Sequence, residues 1–490
     1  MKKNKILIRT FLVAILLVSS FSSCKKDFFD INQDPNNALD ANINLLLPSA
    51  QAGIGHALGN NLQIFGGLYS QYWTQSPAAS QYKTIVQYFP AANDFDNPWA
   101  ALYSDALQDL KAVIKKADAE NKPNYAAIAK ILQAYTYQVL TDNWGDVPFS
   151  ESLQGEDFLI SPKYDKQQDI YPGIIQLAKD GIALIDINTD VHPTDDDLIF
   201  GGDMYLWYEF GNTLLLKMYL RLSEVDPAAA QAGIAELEAS VPDFLYPGET
   251  AQISYVNQGG NTNPLYSSYV DIGNTQNLVA NATCVNYMNT NLDPRVETLY
   301  NPALNGSFVG IPNGDYDLPA STPVAYPGSV SGGYGDDPLA PTAPVIFMSS
   351  YESLFLQAEA AARGWLTGDA QALYESAITE SFAANGLPDT DASTYYTQTA
   401  IAFPAAGSTT DKVKAIVTEK WVSMCGTQCA ESWAEQRRTG FPDFFVVSAT
   451  SILGPGKLPA RLLYPDIELT RNGNFPGQTE ITDKVWWDVN

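Results

Sequence analysis

The sequence predicts an all-α fold, an irregular helical solenoid that carries one long loop-rich insertion. Three observations predict it. Apolar residues recur at helical spacing in segment after segment, with charges opposite. Alanine-rich stretches such as 126–134 and 358–362 set small residues against large ones, the packing that tetratricopeptide-like hairpins need. No strict period repeats, so the stacking is irregular.

Taken from the N-terminus, residues 1–23 read as an address label. Lys2, Lys3, Lys5 and Arg9 form a basic head, 11–18 an apolar core, and Ser19, Ser20, Ser22 and Ser23 lead into Cys24. The apolar run falls short of the ~20 residues needed to span a bilayer. Cys24 stands where a lipoprotein signal peptidase cuts, with Phe21 at the position where Leu is usual, and acyl chains added there anchor a protein stably. Lys25, Lys26 and Asp27 follow, as a solvated tether or as a charged surface-export tag of the Bacteroidetes lipoprotein kind. The lipidated tether, 24–38, is rich in turn-forming Asp, Asn and Pro.

A single helical domain is expected over 39–490. Helices are predicted at 101–116, where Leu102, Ala106, Leu107, Leu110, Val113 and Ile114 share a face, and at 125–141, apolar almost all round and therefore buried. Further helices are predicted at 170–185, 204–223, 228–239, 347–363, 370–382 and 412–438, several ended by Gly or Pro. From about 245 to 344 Gly, Asn, Pro, Ser and Tyr dominate, and only 281–289 reads as helix. Loops of that length are functional or disordered, and the tyrosines argue against disorder. A second loop-rich region runs from Phe441 to the end, closing in Trp486 and Trp487.

Charge excludes one class of partner. The chain carries a net charge of −27, and loss of the four basic residues in 1–23 brings it near −31. Nucleic acid needs a basic footprint that is absent here, and anionic headgroups would repel the chain, so membrane contact is expected from lipid alone. Beyond Cys24 only Cys284, Cys425 and Cys429 remain, which implies no disulfide framework. Cys425 and Cys429 fall four apart on a predicted helix, close enough to pair but more typical of small buried residues. His56 and His192 are too few and too far apart for a zinc site, so neither metal nor cofactor is expected.

Several stretches, in order along the chain, carry a resemblance. They are Phe29-Asp30-Ile31-Asn32-Gln33-Asp34-Pro35-Asn36, then Leu140-Thr141-Asp142-Asn143-Trp144-Gly145-Asp146-Val147-Pro148-Phe149-Ser150, then 203–221 with Trp207, Phe210, Asn212 and Leu214. Asp293-Pro294-Arg295 follows, then Tyr351-Glu352-Ser353-Leu354-Phe355-Leu356-Gln357-Ala358-Glu359-Ala360 with Arg363-Gly364, and Trp433-Ala434-Glu435-Gln436-Arg437-Arg438-Thr439-Gly440. Together they resemble the SusD/RagB family, in its branch of starch-binding-associated outer-membrane lipoproteins. The resemblance implies a right-handed superhelix of about four tetratricopeptide-like pairs with a loop-rich ligand-binding subdomain. It also implies a seat as lid on a SusC-like TonB-dependent barrel. These motif residues read as structural. Gly145 and Pro148 suit a helix end, and Arg437 and Arg438 favour a helix C-terminus, free to pair with Glu359 or Glu435.

No catalytic signature accompanies the resemblance. The sequence holds no H-E-x-x-H, no G-x-S-x-G, no G-x-x-x-x-G-K-[ST] and no G-x-G-x-x-G opening a helix, and its acidic runs at 195–197 and 93–96 lack the spacing of a calcium loop. Aromatic rings are abundant, with 27 Tyr, 9 Trp and 21 Phe. Sugar rings stack their C–H faces on such surfaces while amides and carboxylates meet their hydroxyls, so binding needs no catalysis. Tyr69, Tyr72 and Trp73 fall at i, i+3, i+4 of a predicted helix, with Gln75, Gln81 and Tyr82 nearby. That spacing suits a platform or a core. Tyr266, Tyr269, Tyr316, Tyr326 and Tyr334, with Asn263, lie in loops and form a second candidate set. The expected function is a surface lipoprotein that binds oligosaccharide for the barrel. A RagB-like peptide receptor and a mainly structural lid are the alternatives.

Overall fold

The computed structural model describes residues 41–490 except 334–336. The signal, Cys24, the tether and Tyr334 therefore lie outside the described residues. The helices of the frame, labelled in chain order, are α1 (Ile43–Gly59), α2 (Asn61–Tyr69), α3 (Gln108–Glu120), α4 (Pro123–Trp144), α5 (Gln167–Ala183), α6 (Met204–Arg221), α7 (Pro227–Ala239), α8 (Ser350–Ala362), α9 (Ala370–Ala384), α10 (Asp389–Tyr396), α11 (Thr409–Ser423) and α12 (Cys429–Thr439). The fold is all-α.

Local chemistry sets the ends of these helices. α4 opens with Pro at its first turn and stops at Gly145, whose φ of +77° a β-carbon would resist. Asp203 caps α6 by accepting from the Tyr205 and Leu206 amides, and Ser349 caps α8 through Glu352 N–H. Ser408 and Asp411 close a reciprocal capping box on α11. Consecutive helices pack on one another, α3 on α4, α4 on α5, α5 on α6 and α8 on α9, while α6 on α8 and α2 on α12 join the two halves. The predicted helix over 412–438 is two helices, α11 and α12. A turn at 424–428 separates them, where Gly426 takes φ +76° beside Trp73 and Ser331. Residues 347–348, predicted helical, belong to a strand.

Between α7 and α8 lies the insertion. Three short antiparallel pairs fasten it: β1 (Trp73–Gln75) with β3 (Leu278–Ala280), β2 (Ala251–Ile253) with β6 (Val345–Met348), and β4 (Tyr300–Asn301) with β5 (Tyr326–Pro327). Trp73 sits opposite Ala280, so the first pair binds the insertion to the turn after α2.

Charge is concentrated inside the frame. Lys217 and Arg221 of α6, Lys420 of α11 and Arg438 of α12 meet Asp142, Glu352, Glu359, Glu431 and Glu435 at the helix crossings. Each cation is 4 % exposed or less, so every charge there requires its partners. Arg437 instead stacks on Trp433 and Trp487 and donates to the Asp142 and Ala460 carbonyls. Asp293-Pro294-Arg295 forms a second buried knot, with Arg295 bonded to Asp293 (2.7 Å) and Glu419 (3.2 Å). Among the described residues, these family-like motifs thus pack the frame. Cys284, Cys425 and Cys429 are buried free thiols, Cys425 in the turn and Cys429 at the start of α12.

Candidate ligand-binding site

The first aromatic cluster goes inward. The helix carrying Tyr69 ends there, Gln71 takes φ +57°, and Tyr72 and Trp73 leave the helical register that was expected to align them. Tyr72 and Trp73 are wholly buried and Tyr69 is 5 % exposed. Tyr72 stacks on Trp421, and its hydroxyl lies between Ser432 Oγ at 2.5 Å and the Trp421 carbonyl. Trp73 packs flat over Gly67. Gln75 is buried as well, accepting from Tyr82 N–H at 2.6 Å and donating to the Ser76 carbonyl at 3.0 Å. These side chains hold the turn in shape and have no face for a ligand.

The loop set divides. Asn263 is 2 % exposed and caps the helix Pro264–Asp271 through the Leu265 and Tyr266 amides while donating to the Ala343 carbonyl. Tyr316 is 7 % exposed, under the Lys83 ammonium and bonded through its hydroxyl to Gln87 Nε2 at 2.5 Å. By contrast Tyr82, Tyr266, Tyr269 and Tyr326 are half-buried, each with part of its surface open to solvent. Tyr266 and Tyr269, expected in coil, stand three apart on that short helix and so share a face.

Tyr82 and Tyr269 meet across a slit of about 20 Å³, edged by Thr275, Gln276 and Asn277 and closed by Gly333. Asn277 ties the two walls together. Its carbonyl accepts from Ser76 N–H at 2.8 Å and its side-chain oxygen from Gln81 N–H at 2.9 Å. Burial pushes the Tyr82 hydroxyl up to about 12, so it remains a neutral donor and acceptor at physiological pH. The segment that supplies Gly333 also supplies Val330 to a larger cleft of about 670 Å³. Gln252 and Ile346 of the β2–β6 pair line its insertion side, and Glu380, Asn385 and Thr427 its frame side. Phe89, 64 % exposed, stands on the loop after Tyr82. The sequence reading missed the slit's amides, although the run Asn274-Thr275-Gln276-Asn277 was a visible signal for them.

The acidic runs have internal duties. Asp197 accepts from Gln51, the Trp207 indole and the Gly202 amide, and Asp196 from the Tyr125 hydroxyl at 2.7 Å.

Comparison with known proteins gives the kinship. A SusD-like family model, described as starch-binding associating with outer membrane, matches residues 35–465. The chain belongs to the SusD-like family. No match is found among curated protein sequences. Solved SusD-like structures share the fold. A SusD homologue from Bacteroides uniformis is 22 % identical, with TM-score 0.77, covering 91 % of this chain and 99 % of its own. A chitin-binding SusD homologue from Flavobacterium johnsoniae is 21 % identical, with TM-score 0.77 and the same coverage, 91 % and 99 %. A chitin-binding protein is 24 % identical, with TM-score 0.76, covering 92 % and 100 %. SusD-like proteins are associated with the outer membrane. Among the described residues of this one, no helix is long and apolar enough to cross a bilayer.

Proposed function

We propose that this protein is a lipid-anchored receptor on the outer face of the outer membrane, that it binds oligosaccharide without cleaving it, and that it hands the sugar to a SusC-like TonB-dependent barrel. One observation carries the reading. The half-open ring of Tyr269 on the insertion meets that of Tyr82 across a slit edged by amide side chains, and the segment that closes the slit also bounds a wide cleft against the frame. Rings supply flat apolar faces and amides supply paired donors and acceptors, the two things a sugar offers partners for. The family's starch-binding description and the chitin-binding neighbours support the same ligand class. In this reading residues 1–23 are removed, Cys24 carries the lipid, 24–38 is the tether, and 39–490 is the binding domain with Tyr82, Tyr266, Tyr269 and Tyr326 as its sugar-facing rings.

The test is isothermal titration of the mature chain in detergent against malto-, chito- and xylo-oligosaccharides and a set of unstructured peptides. Binding of at least one sugar series, with no shorter products after long incubation, is expected. Peptide binding with silence across all sugars would instead make the protein a peptide receptor.

A further inference from the structure

The helix leading into α3 is irregular. Residues Asp96–Ala100 are α-helical, Ala101–Leu107 form a π-helical stretch, and α3 follows without a break. Extended π stretches are rare and concentrate where a helix must present side chains to a site. Here Trp99 stands four and five positions before Tyr103 and Ser104, and Gln108 five and four after them, the widened repeat of a π turn, and all four line one open cleft of about 380 Å³. Its opposite wall comes from the helix Asp466–Arg471.

The apolar floor is rigid. Trp99 and Tyr103 lie with ring centroids 4.8 Å apart, backed by Trp144 and Tyr464, and Tyr103 is fixed by its hydroxyl donating to the Pro148 carbonyl at 2.7 Å. The polar groups around that floor are free. Ser104, Gln108 and Arg471 have no side-chain partner among the described residues, and Glu468 engages only one carboxylate oxygen, with Tyr164 at 2.7 Å and Asn472 at 3.0 Å. Arg471 and Glu468 stand three apart on one helix, a spacing that favours an ion pair, yet they form none.

We infer that this cleft is a second saccharide subsite, separate from the tyrosines of the insertion, in which one face of a sugar lies on the half-buried Tyr103, backed by the buried Trp99, while its hydroxyls bridge Arg471, Glu468, Gln108 and Ser104. The volume falls at the small-ligand end of binding pockets. A free cation beside a carboxylate with one oxygen open and an amide matches a ligand whose every polar group both donates and accepts, which is what vicinal hydroxyls are. A simple anion would satisfy Arg471 and be repelled by Glu468. The inference rests on the reading of the protein as a glycan receptor.

The experiment is titration of the full mature chain with maltohexaose and chitohexaose, comparing wild type, the double variant Gln108→Ala/Arg471→Ala, the cleft-filling Ser104→Trp, and Tyr266→Ala/Tyr269→Ala. All of these positions are at least partly exposed, and unchanged thermal melting confirms that each variant is folded. Two binding events are expected in the wild type. The Gln108/Arg471 variant weakens one by about tenfold or more, the loss of a charged and a neutral hydrogen bond, and Ser104→Trp abolishes the same one. The tyrosine variant affects only the other. If cleft variants bind both sugars as the wild type does, the subsite is refuted and the receptor reading stands. If no sugar binds the wild type, both fall, and peptide displaced from the cleft by Ser104→Trp refutes the subsite as well.

Discussion

Arg438 forks onto Glu359, donating through both terminal nitrogens to both carboxylate oxygens at 2.8 and 2.7 Å. The pair joins α12 to α8, and Arg438 reaches Glu435 of its own helix as well, at 2.7 Å. Arg438→Met therefore leaves two buried carboxylates short of a cation. The expected cost is about 3–5 kcal/mol, read as a lower urea midpoint with an unchanged slope.

The same network governs behaviour in acid. The neighbouring cations, chiefly Arg438 in both cases, outweigh burial and hold the Glu359 carboxyl below its ordinary value and Glu435 well below it. Their stabilisation is fully present above the unfolded value near 4.5 and disappears as pH falls through the folded values. Melting temperature should accordingly drop steeply below about pH 4, and Glu359→Gln should flatten that drop.

On the alkaline side the sign reverses at Glu209. Burial first, then the neighbouring Glu249, Asp243 and Asp203 carboxylates, raise this α6 residue to about 8. A carboxyl raised in the folded state stabilises it when protonated, so that contribution is present below 4.5 and is lost as pH climbs through 8. Glu209→Gln should raise the melting temperature at pH 9 and leave it little changed at pH 5.

Gly66 is a tight constraint, packed inside α2 against α12. A β-carbon there would enter the backbone of α12 at Cys429 and Ala430. Because that obstacle is main chain rather than a movable side chain, Gly66→Ala should destabilise by about 1–3 kcal/mol or more, measurable by thermal melting. Ala at Gly259, where nothing lies within 4 Å, should be tolerated.

Tyr266→Ala with Tyr269→Ala is expected to weaken oligosaccharide binding by about tenfold, near 1.4 kcal/mol. The fold should be unaffected, since both rings are partly open. Tyr72→Ala, by contrast, should unfold the turn after α2 before it says anything about ligand, because its ring stacks on Trp421.

The frame was legible in the sequence because amphipathic periodicity is a local signal. The predicted 204–223, 228–239 and 370–382 fall within a residue or two of α6, α7 and α9. The break at 424–428 was hidden by apolar residues that continue in helical register across it, while the backbone turns at Gly426 to admit Trp73. The aromatics were legible only as candidates. Whether a tyrosine points in or out depends on what the insertion folds against, and that is decided by pairings such as Trp73 with Ala280, about two hundred positions apart in the chain. The π stretch at Ala101–Leu107 left no mark, since its apolar pattern suits an ordinary helix equally well.

Stacked helical hairpins as a class tend to unzip from one end, each unit leaning only on its neighbours. Here Arg221 of α6 grips Asp142 of α4 and Glu431 of α12 at once, so none of these three helices can part from the others without stranding a naked ion in oil. Those three helices should therefore melt together, in one step.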